Sequence, residues 1–250
     1  MLKKFLLLIQ VFCVVTISAQ SKTEKTEIAD DIEILKLSDN LYLHRSFLET
    51  QSWGKVGANG LILIKNNEAL LIDTPWNNEQ TERLDKWISN SLYATIKTVI
   101  PTHWHEDRMG GLAYLQSKGV KSYANEQTIE LAKTKNLPIP DTGFKDSIDI
   151  NFQGFDLKLY YPGGGHTTDN IIVWIPSEDI LFGGCFIKDL QSSNLGNLAD
   201  ADVAAWPQSI KWVLTKFPDI KTVVPGHGNM GGYNLLTHTL KLINEHNTVR

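Results

Sequence analysis

Six side chains able to hold a metal ion fall in two groups along this chain. The first group is His103, His105 and Asp107, alternating within His103-Trp104-His105-Glu106-Asp107. The second is His166, Cys185 and His227, each beside glycine: Gly163-Gly164-Gly165 precedes His166, Gly183-Gly184 precedes Cys185, and Gly226 and Gly228 flank His227. Imidazole, thiolate and carboxylate are zinc donors. A structural zinc closes with four donors, so six of them suit two neighbouring ions with room left for water. Such a set points to hydrolysis by a metal-bound hydroxide. The glycines remove side-chain bulk where the backbone must pass close to the ions.

None of these residue types is diagnostic alone. A single loop histidine is usually solvated, a His-x-His pair is a weak signal, and a lone cysteine after a strand is usually a small buried hydrophobe. Joint occurrence carries the argument, because four of the seven histidines sit at glycine-rich strand ends. His44 instead fits a strand face, and His238 and His246 fit the last helix, so these read as structural or exposed.

Residues as far apart as 103 and 227 must be gathered by a fold whose strand ends share one rim. Residues 34–37 and 41–44 read as short strands around the turn Ser38-Asp39-Asn40. Residues 61–64 and 69–72 flank an Asn66-Asn67 hairpin turn. Asn77 or Asn78 caps a helix to about Leu92, with Leu84, Trp87, Ile88 and Leu92 at helical spacing. Residues 97–100 form a strand, and the first histidine cluster lies just past its end, either as a continued strand or as a loop with a starting helical turn. Gly110-Gly111 opens a helix through Leu115, residues 120–123 are strand-like, Asn125 caps a helix over 126–133, and 136–146 read as a loop.

The second half repeats the theme. Strands are expected at 147–152, 155–161, 170–175, 179–182 and 221–224, with helices from Pro207 to Phe217 and from Tyr233 to Glu245. Two face-to-face sheets with helices on their outer faces would bury these apolar strands in one domain of two similar halves.

The N-terminus reads differently. Met1-Leu2-Lys3-Lys4 is basic, residues 5–17 are apolar apart from Gln10 and Thr16, and Ser18-Ala19-Gln20 supplies small residues for cleavage. This is the layout of a signal peptide over residues 1–19, with an apolar core too short for a comfortable membrane span. A polar, flexible segment is expected at 20–31 and the folded domain at 32–250. The expectation is an exported, periplasmic protein, free of the membrane once the leader is cut.

Losing Lys3 and Lys4 leaves 22 basic against 28 acidic residues, a net charge of −6. With no basic stripe, nucleic acid and anionic lipid are not expected partners. Losing Cys13 leaves Cys185 alone, so no internal disulfide can form and the thiol must be buried, reactive or metal-bound. No long apolar surface demands an oligomer, and a monomer is expected.

His103-Trp104-His105-Glu106-Asp107-Arg108 resembles the His-x-His-x-Asp signature of the metallo-β-lactamase superfamily. Pro162-Gly163-Gly164-Gly165-His166-Thr167-Thr168-Asp169-Asn170 and Pro225-Gly226-His227-Gly228 resemble its later motifs, and the resemblance runs from about residue 32 to 246. It implies the αββα sandwich. Glyoxalase II, lactonase and tRNA-processing members usually carry a ligand histidine at position 108 and a bridging aspartate at position 185. Arg108 and Cys185 instead resemble the class B β-lactamases, in the dizinc subclass with cysteine on the second ion.

By that resemblance His103, His105 and His166 hold the first zinc, and Asp107, Cys185 and His227 the second. It implies hydrolysis of the cyclic amide of penicillins, cephalosporins and carbapenems, conferring antibiotic resistance. Asp107 would orient the hydroxide, and Asn197, within Leu195-Gly196-Asn197-Leu198, would help the first zinc stabilise the oxyanion. Lys188 would pair with the substrate carboxylate. Residues 46–56 resemble the family's mobile hairpin, with Trp53 as its aromatic contact, and Asp73 would orient the first cluster. A lactone or thioester hydrolase and a non-catalytic zinc-binding module are the competing readings. Arg108, Cys185 and Lys188 argue against the former, and the open six-donor site against the latter.

Overall fold

A computed structural model describes residues 25–248. The signal peptide expected at 1–19 lies outside the described residues, as do residues 20–24 of the expected flexible segment. The rest of that segment corrects the expectation. Lys25–Ala29 is a strand, β1, antiparallel to Ile32–Lys36, β2. Its polarity is that of a sheet edge: Lys25, Thr26 and Glu27 are exposed, and only Ile28 and Ala29 pack on the core.

From β2 the chain continues through β3 (Leu41–Thr50), β4 (Gly54–Lys65), β5 (Glu68–Ile72), β6 (Thr95–Ile100), β7 (Lys121–Asn125) and β8 (Thr142–Phe144). These eight strands form one sheet in chain order. Strand β8 lies within the expected 136–146 loop, and at three residues it is too short to leave a periodic signal. A second sheet has the order β13-β12-β11-β10-β9, built from β9 (Ser147–Phe152), β10 (Phe155–Tyr160), β11 (Ile172–Ile175), β12 (Ile180–Gly184) and β13 (Thr222–Pro225). The halves share a layer plan but differ in strand number.

Side-chain alternation sorts these strands into layers. Leu61 and Leu63 of β4, Leu70 and Ile72 of β5, Val173 and Ile175 of β11, and Phe182 of β12 fill the space between the sheets. Their neighbours Ile62, Ala69 and Leu71 turn outward onto the helices α1 (Asn78–Ser91), α3 (Leu112–Ser117) and α4 (Glu126–Thr134). On the other side Ile172 and Leu181 pack under α5 (Trp206–Lys216) and α6 (Tyr233–Thr248). Strands covered on both faces read as continuous apolar runs, which is why residues 61–64 and 69–72 carry hardly a polar side chain. The result is the four-layer αββα sandwich. Asn77 starts α1 by accepting the Gln80 amide at 2.9 Å, and Asn125 starts α4 by accepting that of Gln127 at 2.9 Å. Among the described residues no helix is long and apolar enough to cross a membrane.

Candidate metal centre

Each expected ligand follows the end of a strand at one rim of the sandwich. His103 and His105 lie in the loop after β6, and Asp107 sits on the short helix α2 (Glu106–Met109) that ends that loop. The cluster is thus a loop with a helical turn, not a continued strand. His166 follows β10, Cys185 follows β12 and His227 follows β13. Glycine is required where these loops touch. A Cβ on Gly226 would come within 2.6 Å of the Cys185 amide nitrogen.

Buried polar groups hold the first loop. Asp73 adopts a left-handed backbone (φ 61°) and accepts the Thr102 amide at 2.6 Å and the Thr102 hydroxyl at 3.0 Å. Asp169 accepts the Trp104 amide, between the two histidines, at 3.0 Å. Asp73 therefore orients the cluster through Thr102, one residue before His103.

All six side chains converge. The ligand atoms of His103, His105 and Asp107 lie within 4.8 Å of one another, as do those of Asp107, Cys185 and His227, and those of His103, His166 and Cys185. His105 Nδ1 lies 3.1 Å from His103 Nε2 and 3.2 Å from His166 Nε2. His105 Nε2 faces the Asp200 carboxylate at 3.0 Å, which places the His105 proton there and leaves Nδ1 bare. Thr102 Oγ1, already donating to Asp73, can accept from His103 Nδ1 at 3.4 Å, leaving His103 Nε2 bare as well.

The second trio has the same character. His227 Nδ1 donates to the Gly57 carbonyl at 2.8 Å, so Nε2 is the ring nitrogen turned toward the other donors. That nitrogen lies 3.2 Å from Cys185 Sγ and 3.2 Å from Asp107 Oδ2. A proton or a metal ion among these atoms relieves the repulsion of their lone pairs, and the nitrogen, oxygen and sulfur chemistry of the donors fits a metal at each trio.

Electrostatics agree. Burial holds His103 and His166 well below the usual imidazole range, which keeps them neutral as ligands must be. Burial opposes charge on Asp107, yet Arg108 and His227 outweigh it and hold that carboxyl well below its ordinary value. Burial also opposes an imidazolium at His227, but the Cys185 thiol and Asp107 push its pKa up to about 9. The trio thus attracts positive charge.

The centre floors a cleft of about 700 Å³. Trp53, Val56, Trp76, Trp104 and Ile187 give it apolar walls. Trp53 stands at the tip of the β3–β4 hairpin and is 60% exposed. Lys188 is half-buried, with its ammonium 5.5 Å from the Trp206 ring centroid, and burial lowers its pKa. Asn197 lines the same cleft, but its Oδ1 accepts the Ala199 amide at 3.1 Å, so the amide nitrogen is the donor left for a ligand. Ser52-Trp53-Gly54-Lys55 has the Ser-x-x-Lys spacing of serine acyl-transfer enzymes. It forms the exposed hairpin turn, and Lys55 Nζ rests 4.9 Å over the Phe47 ring.

Asp200, Trp76 and Trp104 belong to the site without having been singled out from sequence. Trp104 was visible inside the His-x-His motif. Asp200 had no local signal, because its partner His105 is 95 residues away.

An αββα sandwich with six nitrogen, oxygen and sulfur donors at its rim defines a metal-dependent hydrolase. Residues 53–227 match the family model described as Metallo-beta-lactamase superfamily. A protein of Bacteroides fragilis named Metallo-beta-lactamase type 2 is 50% identical over 98% of this chain and 97% of its own length. A Pseudomonas aeruginosa protein of the same name is 37% identical over 96% of this chain and 92% of its own. The solved metallo-beta-lactamase from Pontibacter korlensis superposes with a TM-score of 0.82 at 42% identity, covering 85% of this chain and 99% of that one. The chain belongs to the metallo-β-lactamase superfamily, in its class B branch.

Proposed function

We propose that this enzyme is an exported zinc β-lactamase that opens the cyclic amide of penicillins, cephalosporins and carbapenems, and so confers resistance to them. The observation that carries this reading is the convergence of six nitrogen, oxygen and sulfur donors beneath a cleft that also presents Lys188. His103 Nε2, His105 Nδ1 and His166 Nε2 would hold one zinc. Asp107 Oδ2, Cys185 Sγ and His227 Nε2 would hold the other. When bound, zinc lowers the pKa of water toward about 7 and polarises a carbonyl oxygen.

The chain's own residues do the rest. Lys188 binds the substrate carboxylate; its ammonium rests on an indole face and has no carboxylate partner among the described residues. That grip sets the lactam carbonyl over the metal centre. Asp107 accepts a hydrogen bond from the attacking water or hydroxide and aims its lone pair. Asn197 donates its amide N–H to the developing oxyanion. Trp53 and the β3–β4 hairpin close over the ring substituents and exclude bulk water, and solvent protonates the departing nitrogen.

Residues 1–19 would direct export to the periplasm, and the folded chain from Lys25 onward would form the catalytic domain, acting as a monomer on small β-lactams. Hydrolysis of a carbapenem with and without a chelator tests the reading. Turnover is expected to vanish with the chelator and return with zinc. Equal turnover by metal-free protein would sink it.

A further inference from the structure

The turn that carries His227 is held by the other sheet. The His227 side chain is 37% exposed, so packing around the ring does not fix it. Its backbone is fixed by hydrogen bonds to carbonyls on either side. Asn59 of β4 donates its amide nitrogen to the Gly226 carbonyl at 2.8 Å and its side chain to the Pro225 carbonyl at 2.9 Å and the Gly228 carbonyl at 3.0 Å. Two residues earlier on β4, the Gly57 carbonyl accepts His227 Nδ1. The position of the imidazole thus depends on how the turn sits against β4.

Arg45 locks that arrangement. It lies on β3 directly opposite Asn59. Each of its three guanidinium nitrogens has its own partner. Nε donates to Asn59 Oδ1 at 2.8 Å, Nη1 to Glu33 Oε1 at 3.2 Å and Nη2 to the Gly228 carbonyl at 2.8 Å. Glu33 is buried, and its other oxygen takes the Lys25 ammonium at 2.5 Å. Only a planar fork serves three directions at once; a lysine keeps the charge but loses the geometry.

We infer that Arg45 is a positioning residue for the second metal: through Asn59 and the Gly228 carbonyl it fixes the turn that presents His227. The inference rests on the metal assignment proposed above. It predicts selectivity, because none of the Arg45 bonds reaches His103, His105 or His166.

Cobalt(II) titration of the metal-free protein separates the two sites. The Cys185 thiolate gives a near-ultraviolet charge-transfer band only when the second site fills, whereas the visible bands follow both. For Arg45→Lys and Arg45→Gln, affinity at the second site is expected to fall about 10- to 100-fold, with the first within twofold of wild type. An equal loss at both sites, or no loss at either, overturns the inference. If Arg45→Gln does not fold, Arg45→Lys, which still neutralises Glu33, decides by the same criteria. A wild-type titration without the thiolate band would overturn the metal assignment, and this inference with it.

Discussion

Arg108 and Asp73 meet at 3.1 Å with neither side chain exposed to solvent. Arg108 also reaches Asp107 at 2.7 Å, the Asn59 carbonyl at 2.6 Å and the Gly226 carbonyl at 2.9 Å. One guanidinium therefore touches the supports of both donor trios, and its negative neighbours keep it protonated against the cost of burial.

Replacing Arg108 with methionine fills similar space but removes the cation paired with the buried Asp73 and Asp107 carboxylates and the side-chain donor to the Asn59 carbonyl. Breaking a buried pair from one side costs about 3–5 kcal/mol. Denaturant unfolding of the metal-free protein checks this, and a loss under about 1 kcal/mol would contradict it.

Asp200→Asn keeps the size of the side chain that faces His105 Nε2 but removes its charge. A carboxylate behind a metal-bound histidine raises its basicity, and losing it typically costs about 10- to 100-fold in metal affinity or activity. Zinc affinity by chelator competition is expected to fall in that range at the first site.

Lys188→Ala is expected to raise KM for substrates bearing the ring carboxylate by roughly 10- to 100-fold, the worth of a charge-assisted hydrogen bond. Substrates with that carboxylate esterified should be nearly indifferent. A similar rise for both would remove the assigned role.

His44 offers a pH test away from the ligands. Its Nε2 lies 3.1 Å from the Asp73 carbonyl, and burial pushes its pKa down to about 4. The unfolded chain protonates this histidine near pH 6.5, while the folded one resists until about pH 4. Its contribution is complete above pH 6.5 and falls by about 1.4 kcal/mol per unit as the pH drops toward 4. The stability gap between wild type and His44→Gln should therefore narrow by about 2 kcal/mol from pH 7 to pH 5. A constant gap would refute the buried neutral assignment.

Much of the site was legible because its signals are local. His103, His105 and Asp107 share one loop and helical turn, and the glycines beside His166, Cys185 and His227 mark where backbones crowd. The sandwich was legible from apolar runs such as Leu61–Ile64, which only a strand covered on both faces can carry. What escaped depends on distant partners. Asp200 supports His105, and Asn59 clamps the His227 turn, across spans that leave no periodicity. Strand β1 escaped because an edge strand with three exposed positions looks like a polar tail.

The six donors are drawn from opposite sides of the sandwich: His103, His105 and Asp107 follow a strand of the eight-stranded sheet, and His166, Cys185 and His227 follow strands of the five-stranded one. Each proposed ion would therefore rivet one layer to the other, as a disulfide does in a chain with cysteines to spare. A host that starves such an enzyme of zinc would do more than silence it. It would pull the fasteners from the fold, and proteases would find it sooner.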